Sequence, residues 1–458
     1  MTTAATPTSP SATGTIRLSE PDSVRSAMPT GGPDWLSSLR TAGAEQYASL
    51  GLPTRRDEEW RYTSLRALES VDFDANPVSG TVTSADVDRL AIPGVVGPRL
   101  VFVDGRYDAS LSSVDGVPAN VIVCSLIEAI DQHADAVRSV LGTVADDDDH
   151  AFVSLNAALM RDGVFVHVPD DITVERPIYV LSISTGATPG ALGVRRNLMV
   201  VGAGASVTVV EDHCCLDDSA VYLNNVVTEM TVGDRGFGEH MLIERESMAA
   251  FNICALKTKQ GSDSNVESHA ILLGGRIVRN DVNPKIAGTG SDSLLNGLYV
   301  PIGEQHMDNH MRVEHLVGEC TSRQYYRGML GDETTGVFSG RIVVSDGAAE
   351  TDAIQSCQNL LLSGKARAIT KPQLEIYDAD VQCTHGATTG QVEPEHVHYL
   401  RARGIPEAEA KGLLVYAFAS EGIDRIRFEP VRDWVNARFR ERLPYASNVD
   451  DVAWEDEA

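Results

Sequence analysis

The sequence predicts a mainly β protein in which a long β-rich centre lies between a helical N-terminal region and a helical C-terminal region. From about residue 156, short runs of β-branched residues follow one another, separated by glycines and polar turns. Helical patterns with proline at the start and glycine at the end occur before this stretch and again after residue 390. At 458 residues the chain exceeds the size of one ordinary hydrophobic core, so several structural regions are expected.

These patterns divide the chain into four regions. The first 30 residues are rich in Ser, Thr, Ala and Pro and lack an apolar stretch, which predicts a disordered tail rather than a secretory signal. The predicted regions are a disordered tail over 1–30, a mainly helical region over 31–150, a β core over 151–382 and a helical region over 383–458.

The first clear helix is predicted between Pro33 and Gly51. Proline favours the first turn of a helix, and glycine favours the position just past its end. Between them, Leu36, Leu39 and Tyr47 recur at helical spacing and indicate one apolar face.

The central β runs do not by themselves select an architecture. They include GVFVHVP, ITVERPIYVLSI, NLMVVGAGASVTVV and GVFSGRIVV. Such runs can build a sandwich, a barrel or a solenoid, and the sequence has no fixed period that would single out the solenoid. A solenoid would leave its end coils open and would need capping regions or a partner.

Three helices are predicted in the C-terminal region. Pro394 can begin the first helix, Pro406 can begin the second, and the third runs from about residue 431 to 443. In the third helix, Val431, Val435 and Phe439 form an i, i+4 stripe that Trp434 flanks. A stripe of this kind is more often buried core than a docking surface.

The composition excludes several classes of function. A net charge of -27 would repel a polyanion, so nucleic acid is not an expected partner. No apolar run approaches the roughly 18–20 residues that cross a bilayer, so no membrane association is expected. The seven cysteines are irregularly spaced and odd in number, which favours a reducing compartment and a cytoplasmic location.

Two nucleotide-binding patterns are incomplete. In NLLLSGKAR, Asn359 stands where a P-loop needs its first glycine, and Ala366 stands where it needs Ser or Thr. In GAGASV, Val207 replaces the third glycine of a dinucleotide-binding fingerprint. The chain is therefore not expected to hydrolyse ATP or to act as an enzyme by itself.

The segment QCTHGATTGQ, residues 382–391, contains the strongest candidate site. Cys383 and His385 are two residues apart, which in an extended segment places both side chains on one face. Thiolate and imidazole suit iron or an iron-sulfur cluster, but a cluster usually takes about four protein ligands. Further ligands would have to come from elsewhere, such as another subunit. The alternative is a Cys and a His that only pack where the sheet meets the helices.

Several long segments resemble the SufB/SufD family of iron-sulfur cluster assembly proteins. They are KPQLEIYDADVQCTHGATTGQ, HYLRARGI, LNGLYVPIGEQHMDNH, YYRGMLGDETTGVFSGRI and TDAIQSCQNLLLS. LPTRRDEEWRYTSL and NLLLSGKARAITKPQLEI are more similar to the SufD version than to SufB. The resemblance spans about residues 50–445 and implies a right-handed parallel β-helix core flanked by N-terminal and C-terminal α-helical regions.

The resemblance also implies a role in the SUF iron-sulfur cluster assembly complex. The chain would be a scaffold subunit that pairs with a SufB-type subunit and docks a SufC-type ABC ATPase. A transient cluster would form at the SufB-SufD interface, with His385 as the first candidate ligand and Cys383 as the second. No tightly bound cofactor is then expected in the isolated chain. The candidate SufC-docking residues are Tyr399, Leu400, Trp434, Val435 and Phe439.

Two other functions remain open at this point. A β-helix enzyme acting on an acidic polysaccharide would need a basic groove and usually a secretion signal, and the sequence displays neither. A homodimeric SufB-like protein could assemble clusters without a SufD partner, and a homodimer is also a possible state of the isolated chain.

Overall fold

A computed structural model describes residues 15–145 and 149–442 of the chain. These residues form a parallel β-solenoid of about eight turns with helical regions at its N- and C-terminal ends. The predicted β core between helical regions is therefore confirmed, and the solenoid is the architecture that periodicity had left open. No helix in the two described ranges is long and apolar enough to cross a membrane.

Two sheets form the walls of the solenoid, and their strands follow the chain in order. The first strands are β1 Thr15–Ile16, β2 Phe73–Asp74, β3 Arg99–Val103, β4 Arg106–Tyr107, β5 Ile122–Ser125, β6 Val164–Val168 and β7 Ile178–Ser184. The next are β8 Ala191–Val201, β9 Ser206–Cys215, β10 Tyr222–Val232, β11 Phe237–Arg245, β12 Phe251–Gln260, β13 Asn265–Leu272 and β14 Ile277–Ile286. The last are β15 Asp292–Tyr299, β16 His306–His315, β17 Thr321–Leu330, β18 Thr335–Val344, β19 Thr351–Leu361, β20 Arg367–Ile376 and β21 Val381–Gln391.

The helices lie before the regular coils and after them. The N-terminal helices are α1 Pro21–Ser26, α2 Asp34–Leu50, α3 Arg66–Glu69, α4 Ser84–Leu90, α5 Leu126–Gln132, α6 Ala134–Arg138 and α7 Ala151–Leu159, with a short 3-10 turn at Glu58–Trp60. The C-terminal helices are α8 Pro394–Arg401, α9 Glu407–Ile423 and α10 Glu429–Arg442.

Consecutive strands alternate between the two walls. Sheet A contains the even-numbered strands from β6 to β20, together with β1, β2 and β5, and sheet B contains β3, β4 and the odd-numbered strands from β7 to β21. From β7 to β19, each strand pairs in parallel with the strand two places later in the chain, which is its neighbour in the same sheet. One turn of the chain therefore adds one strand to each wall.

The coils differ in length, which explains why the sequence lacks a fixed period. The successive partners Leu223, Phe251 and Ile277 are 28 and 26 residues apart, whereas Thr335 and Arg367 are 32 residues apart. The turns absorb these differences while the strands stay in register.

Each sheet has an inner and an outer apolar face. Residues of both sheets, such as Val226 and Leu242, meet in one core cluster inside the solenoid. The outer face of sheet A packs against the N-terminal helices, where Phe251 joins Tyr47. The outer face of sheet B packs against the C-terminal helices. The helices therefore cover surfaces that the coils alone would leave exposed.

The predicted region boundaries differ from the structure at three places, one of which is helix α7, Ala151–Leu159, inside the predicted β core of 151–382. Residues 15–30 of the predicted tail are ordered, because Ile16 and Val24 are buried and β1 pairs with β2. Residues 1–14 of that tail lie outside the described residues. The boundary predicted between 382 and 383 falls within β21, so the β core continues to Gln391.

The predicted helix positions agree well with the structure. Helix α2 begins after Pro33 and ends before Gly51, which has a positive φ of 68°. Helix α8 begins at Pro394, and α9 begins directly after Pro406. Helix α10 begins at Glu429, and the predicted end at residue 443 lies outside the described residues.

Candidate functional site

Cys383 and His385 lie on β21, the last strand of sheet B. Strand β21 pairs in parallel with β19, which sets Cys383 opposite Ala353 and His385 opposite Gln355. Sheet B ends at β21, so its other edge has no strand partner among the residues that the structure describes. The pair therefore lies in the terminal coil of the solenoid, in an extended segment as the spacing required.

The Cys383 side chain faces the inside of the solenoid. It packs at the edge of a small apolar cluster made of Ile342, Val344, Ala348 and Ala353. The side chain is half-buried, and this burial raises the pKa of the thiol above its ordinary value. A partner or a bound ion would have to offset that shift before Cys383 could act as a thiolate ligand.

His385 extends a column of polar side chains towards the solvent. Because residues two apart in a strand share a face, His385 lies on the same inward side as Cys383. Its register partner Gln355 is buried and donates a hydrogen bond to Gln324 Oε1 at 2.9 Å. His385 itself is exposed, so its imidazole is accessible at the end of the column.

The two side chains do not form a complete metal site in the described part of the chain. The one group there with three His, Cys, Asp or Glu ligand atoms close together is formed by other residues. An iron-sulfur cluster bound by Cys383 and His385 would therefore need about two further ligands in addition to this pair.

A buried ionisable cluster lies deeper in the lumen, and the sequence analysis missed it. Arg195 Nη2 lies 2.8 Å from His213 Nε2, which lies 2.9 Å from Glu211 Oε1. His240 Nε2 lies 3.1 Å from the other oxygen, Glu211 Oε2. Burial opposes ionisation of Glu211, but the hydrogen bonds from His213 and His240 lower its pKa well below the usual value.

The signal for this cluster was present but weak. Glu211 and His213 are two residues apart on β9, so both side chains lie on the same face of the strand. Without the fold, that side could equally have been solvent. In the structure both side chains are almost fully buried, and Cys254 lies in the same interior with a pKa that burial raises far above its ordinary value.

The candidate docking residues separate into two groups. Trp434, Val435 and Phe439 are at most 7% exposed and pack against the outer face of sheet B within the chain itself. Their side chains therefore hold α10 on the solenoid and are not available to a partner. On α8, Tyr399 is 57% exposed, and Leu400 is half-buried.

The charged segment at residues 52–65 docks on the outer face of sheet A. The guanidinium of Arg279 lies 3.9 Å from the centre of the Trp60 ring and forms ion pairs with Asp281 at 2.8 Å and Asp308 at 2.9 Å. Trp60, Arg279 and Asp281 border a cleft of about 290 Å³ between the N-terminal region and the solenoid. The segment thus fastens the N-terminal region to the middle coils.

Comparison with known families matches both parts of the chain. A family model described as the SUF system FeS cluster assembly, SufBD core domain, matches residues 183–418. A second, described as the SufBD protein N-terminal region, matches residues 22–180.

The chain belongs to the SufBD family.

Three relatives illustrate this membership. The iron-sulfur cluster assembly protein SufD of Escherichia coli is 30% identical over 402 residues, which cover 87% of this chain and 91% of the relative. An iron-sulfur cluster assembly SufBD family protein of Synechocystis is 31% identical over 399 residues, covering 85% of this chain and 87% of the relative. SufD of Bacillus subtilis is 26% identical over 409 residues, covering 87% and 92% respectively.

The family match fits the structural regions described above. The two matched SufBD segments meet between residues 180 and 183, within β7, where the regular coils begin. Cys383 and His385 both fall in the SufBD core match. The resemblance found in the sequence is therefore confirmed at the level of the family.

Proposed function

We propose that this chain is the SufD-type scaffold subunit of a SUF complex and that a nascent iron-sulfur cluster forms where it meets a SufB-type subunit. The observation that carries the proposal is the position of Cys383 and His385 on the inward face of the terminal strand. Two ligand side chains at the open end of a solenoid can be completed by ligands from a chain that covers that end. The cluster is the cargo of the complex, and the chain has no catalytic role of its own.

The terminal coil is the surface that the SufB-type subunit would cover. Strand β21 has an edge without a strand partner in the described residues, and an unpaired edge offers backbone donors and acceptors for pairing with another chain. Ile376 and Tyr377 at the end of β20 are 39% and 65% exposed, which adds apolar area to the same end. A second solenoid stacked there would continue both walls.

The C-terminal helices would receive the SufC-type ATPase. The exposed face of α8, with Tyr399, supports docking there, while the buried stripe of α10 keeps the helices on sheet B. Arg327 on β17 donates a hydrogen bond to the Phe418 carbonyl of α9 at 2.8 Å and pairs with Glu421. Strand β17 pairs with β19, and β19 pairs with β21.

This connection supports a mechanism for the complex. ATP binding closes the SufC dimer and moves the attached helices, and Arg327 transmits the movement to β17. The displacement then reaches β21 through two rows of backbone hydrogen bonds and opens the shared interface to iron and sulfide. We place the complex in the cytoplasm, because all seven cysteines are free thiols, which a reducing compartment maintains.

The test is the exchange of His385 for alanine in the complex isolated anaerobically after co-expression with the SufB-type and SufC-type subunits. We expect the His385→Ala complex to keep its subunit composition but to lose most of the visible absorbance of the cluster. His133→Ala, which changes a partly exposed histidine in the N-terminal region away from β21 and α8, is the control and should leave the absorbance unchanged.

Two outcomes would contradict the proposal. A normal cluster yield in the His385→Ala complex would reject the ligand role of that residue. A particle that contains this chain alone and still assembles clusters would favour the homodimeric SufB-like alternative.

A further inference from the structure

A buried group of two carboxylates and one imidazole lies on the outer face of sheet B, apart from the terminal coil. Glu239 belongs to β11, and Glu267 and His269 belong to β13. Glu239 and Glu267 are direct register partners on these neighbouring strands. The next outward-facing residues, Met241 and Ile271, pack against the C-terminal helices, so the group lies beneath the helical cover.

The three side chains direct their ligand atoms towards one point. These atoms all lie within 4.8 Å of one another. His269 Nε2 is 3.5 Å from Glu239 Oε1 and 3.7 Å from Glu267 Oε2. Such separations are long for hydrogen bonds. They are close to the spacing of about 3.4 Å that metal-ligand bonds of about 2.0–2.2 Å produce in a tetrahedral site.

None of these three atoms has a hydrogen-bond partner among the described residues, although the side chains are buried. The large majority of buried side-chain polar atoms have such a partner, so three that face each other without one need an explanation. The remaining carboxylate oxygens are held from outside the group. Thr208 Oγ1 donates to Glu239 Oε2 at 2.8 Å, and Arg427 Nη1 lies 3.2 Å from Glu267 Oε1.

We propose that Glu239, Glu267 and His269 bind one divalent transition-metal ion of the zinc, iron(II) and manganese class. One imidazole nitrogen and two carboxylate oxygens form a borderline ligand set that suits these ions. A water molecule would take the fourth position. The bound ion connects two neighbouring coils beneath the C-terminal helices, and the site is independent of the nascent cluster.

Arg427 marks the entry path. Its side chain is 73% exposed, whereas the carboxylate that it contacts is 3% exposed. A guanidinium held at one edge and otherwise in solvent can move aside and then screen the filled site. The ion therefore enters from the surface next to α10 rather than through the lumen.

Asn296 connects the site to α9 and selects which nitrogen of the His269 ring carries the proton. Its Nδ2 donates to the Gly422 carbonyl at 3.0 Å and also faces His269 Nδ1 at 3.2 Å. The ring proton of the metal-free chain is then on Nε2. The metal displaces that proton, and Asn296 turns its amide so that Oδ1 accepts from Nδ1. The ring keeps one proton, which moves from Nε2 to Nδ1, so the neutral imidazole binds the ion without net release of a proton.

The experiment uses the metal-free full-length chain carrying Cys383→Ala and His385→Ala, which removes the other candidate ligands. Cobalt(II) is the spectroscopic probe, and zinc(II) is measured by equilibrium dialysis. We expect one equivalent of either ion to bind and to raise the melting temperature. Glu267→Gln and His269→Gln should each weaken the affinity at least about tenfold.

Asn296→Asp provides a second, independent test. In the metal-bound state the ring carries its proton on Nδ1. A carboxylate that faces Nδ1 accepts a hydrogen bond from it, so this variant should bind the ion more tightly than the parent. Glu395→Gln, at an exposed position on α8, is the control and should bind like the parent.

The proposal is overturned if the parent chain binds neither ion, or if Glu267→Gln and His269→Gln bind like the parent. Circular dichroism establishes that the variants are folded. If one of them does not fold, an unchanged affinity in the folded Asn296→Asp chain overturns the proposal instead. Because the parent already lacks Cys383 and His385, failure here leaves the cluster-assembly proposal untouched.

Discussion

The carboxylates buried in the solenoid interior differ in how far neighbouring groups offset the cost of burying their charge. Glu211 is flanked by two histidines and keeps a low pKa despite its burial. Glu244 instead accepts hydrogen bonds from the backbone amides of Glu246 at 3.0 Å and Gly274 at 3.2 Å. Burial, and then the neighbouring Glu246 carboxyl, raise the pKa of Glu244 to about 8. The interior therefore contains one carboxylate held ionised and another held protonated.

The raised pKa of Glu244 predicts a stability that depends on pH. A carboxyl whose folded-state pKa exceeds its unfolded value of 4.5 contributes stability that is fully present below pH 4.5. That contribution is lost as the pH rises to about 8, because the folded chain must then hold an unfavourable charge. We expect the melting temperature to fall over this interval and Glu244→Gln to flatten the decline.

Thermal unfolding followed by circular dichroism at several pH values checks this prediction. Glu304→Gln changes an exposed carboxylate in a turn and should keep the slope of the parent chain. An equal slope in the Glu244→Gln chain would show that other groups cause the decline.

Helix α10 is held to the solenoid by an apolar face. Its Val431, Val435 and Phe439 cover the outer face of sheet B, so the stripe seen in the sequence is core rather than a docking surface. The cation on Arg245 lies 5.2 Å from the centre of the Trp434 ring and adds a polar contact to the same junction. Helix α8 has little of this cover, and Tyr399 is exposed on it.

This difference predicts that a substitution in α10 lowers stability, whereas a substitution in α8 weakens binding. Phe439→Ala should lower the free energy of unfolding of the isolated chain by about 3–5 kcal/mol, because it leaves a cavity beneath α10. Tyr399→Ala should change that free energy by less than about 0.5 kcal/mol but should weaken binding of the SufC-type subunit. Urea denaturation measures the first quantity, and co-purification measures the second.

The result of either substitution can contradict these assignments. If Phe439→Ala leaves the stability unchanged, its side chain does not belong to the core. If Tyr399→Ala binds the ATPase like the parent, the docking surface lies elsewhere on the C-terminal helices.

The solenoid as a whole is closed by helices along its sides and open at its C-terminal coil. Most side chains of β21 are exposed, although the strand continues the register of nine others in its sheet. A stack of coils exposes apolar side chains and unpaired strand edges at an uncovered end, so a partner at that end stabilises it. Under the proposed function, this end of the described chain is the one that the SufB-type subunit covers.

The open end predicts how a charge placed on β21 would act. Ala387 is exposed and lies in register with the buried Cys357, so its methyl group is on the inward face of the terminal coil, next to Cys383 and His385, where the proposed partner would cover it. Ala387→Asp should reduce recovery of the SufB-type subunit at least about tenfold, because it buries an unpaired charge on association. The melting temperature of the isolated chain should stay the same.

Co-purification from cells that express all three subunits measures this effect. Val78→Asp introduces the same charge at a 78% exposed position in the N-terminal region and should leave recovery unchanged. Full recovery of the SufB-type subunit with Ala387→Asp would place the interface elsewhere.

The sequence by itself determined helix α2, the three C-terminal helices, the β-rich centre and the family. Pro33, Gly51 and Pro394 set helix ends through local backbone preferences. The two-residue spacing of Cys383 and His385 places both side chains on one face of a strand. The family came from long motifs rather than from any period, because the coils differ in length.

Only the tertiary structure decided which faces are buried and which residues meet. The partners Glu239, Glu267 and His269 come together through strand register, and Glu211 and His240 face the lumen only because the coils close around it. Residues 15–30 have the composition of a disordered tail, but their apolar side chains are buried in the folded chain. Local patterns record the conformation of neighbouring residues, whereas burial and side-chain clusters depend on contacts between coils far apart in the chain.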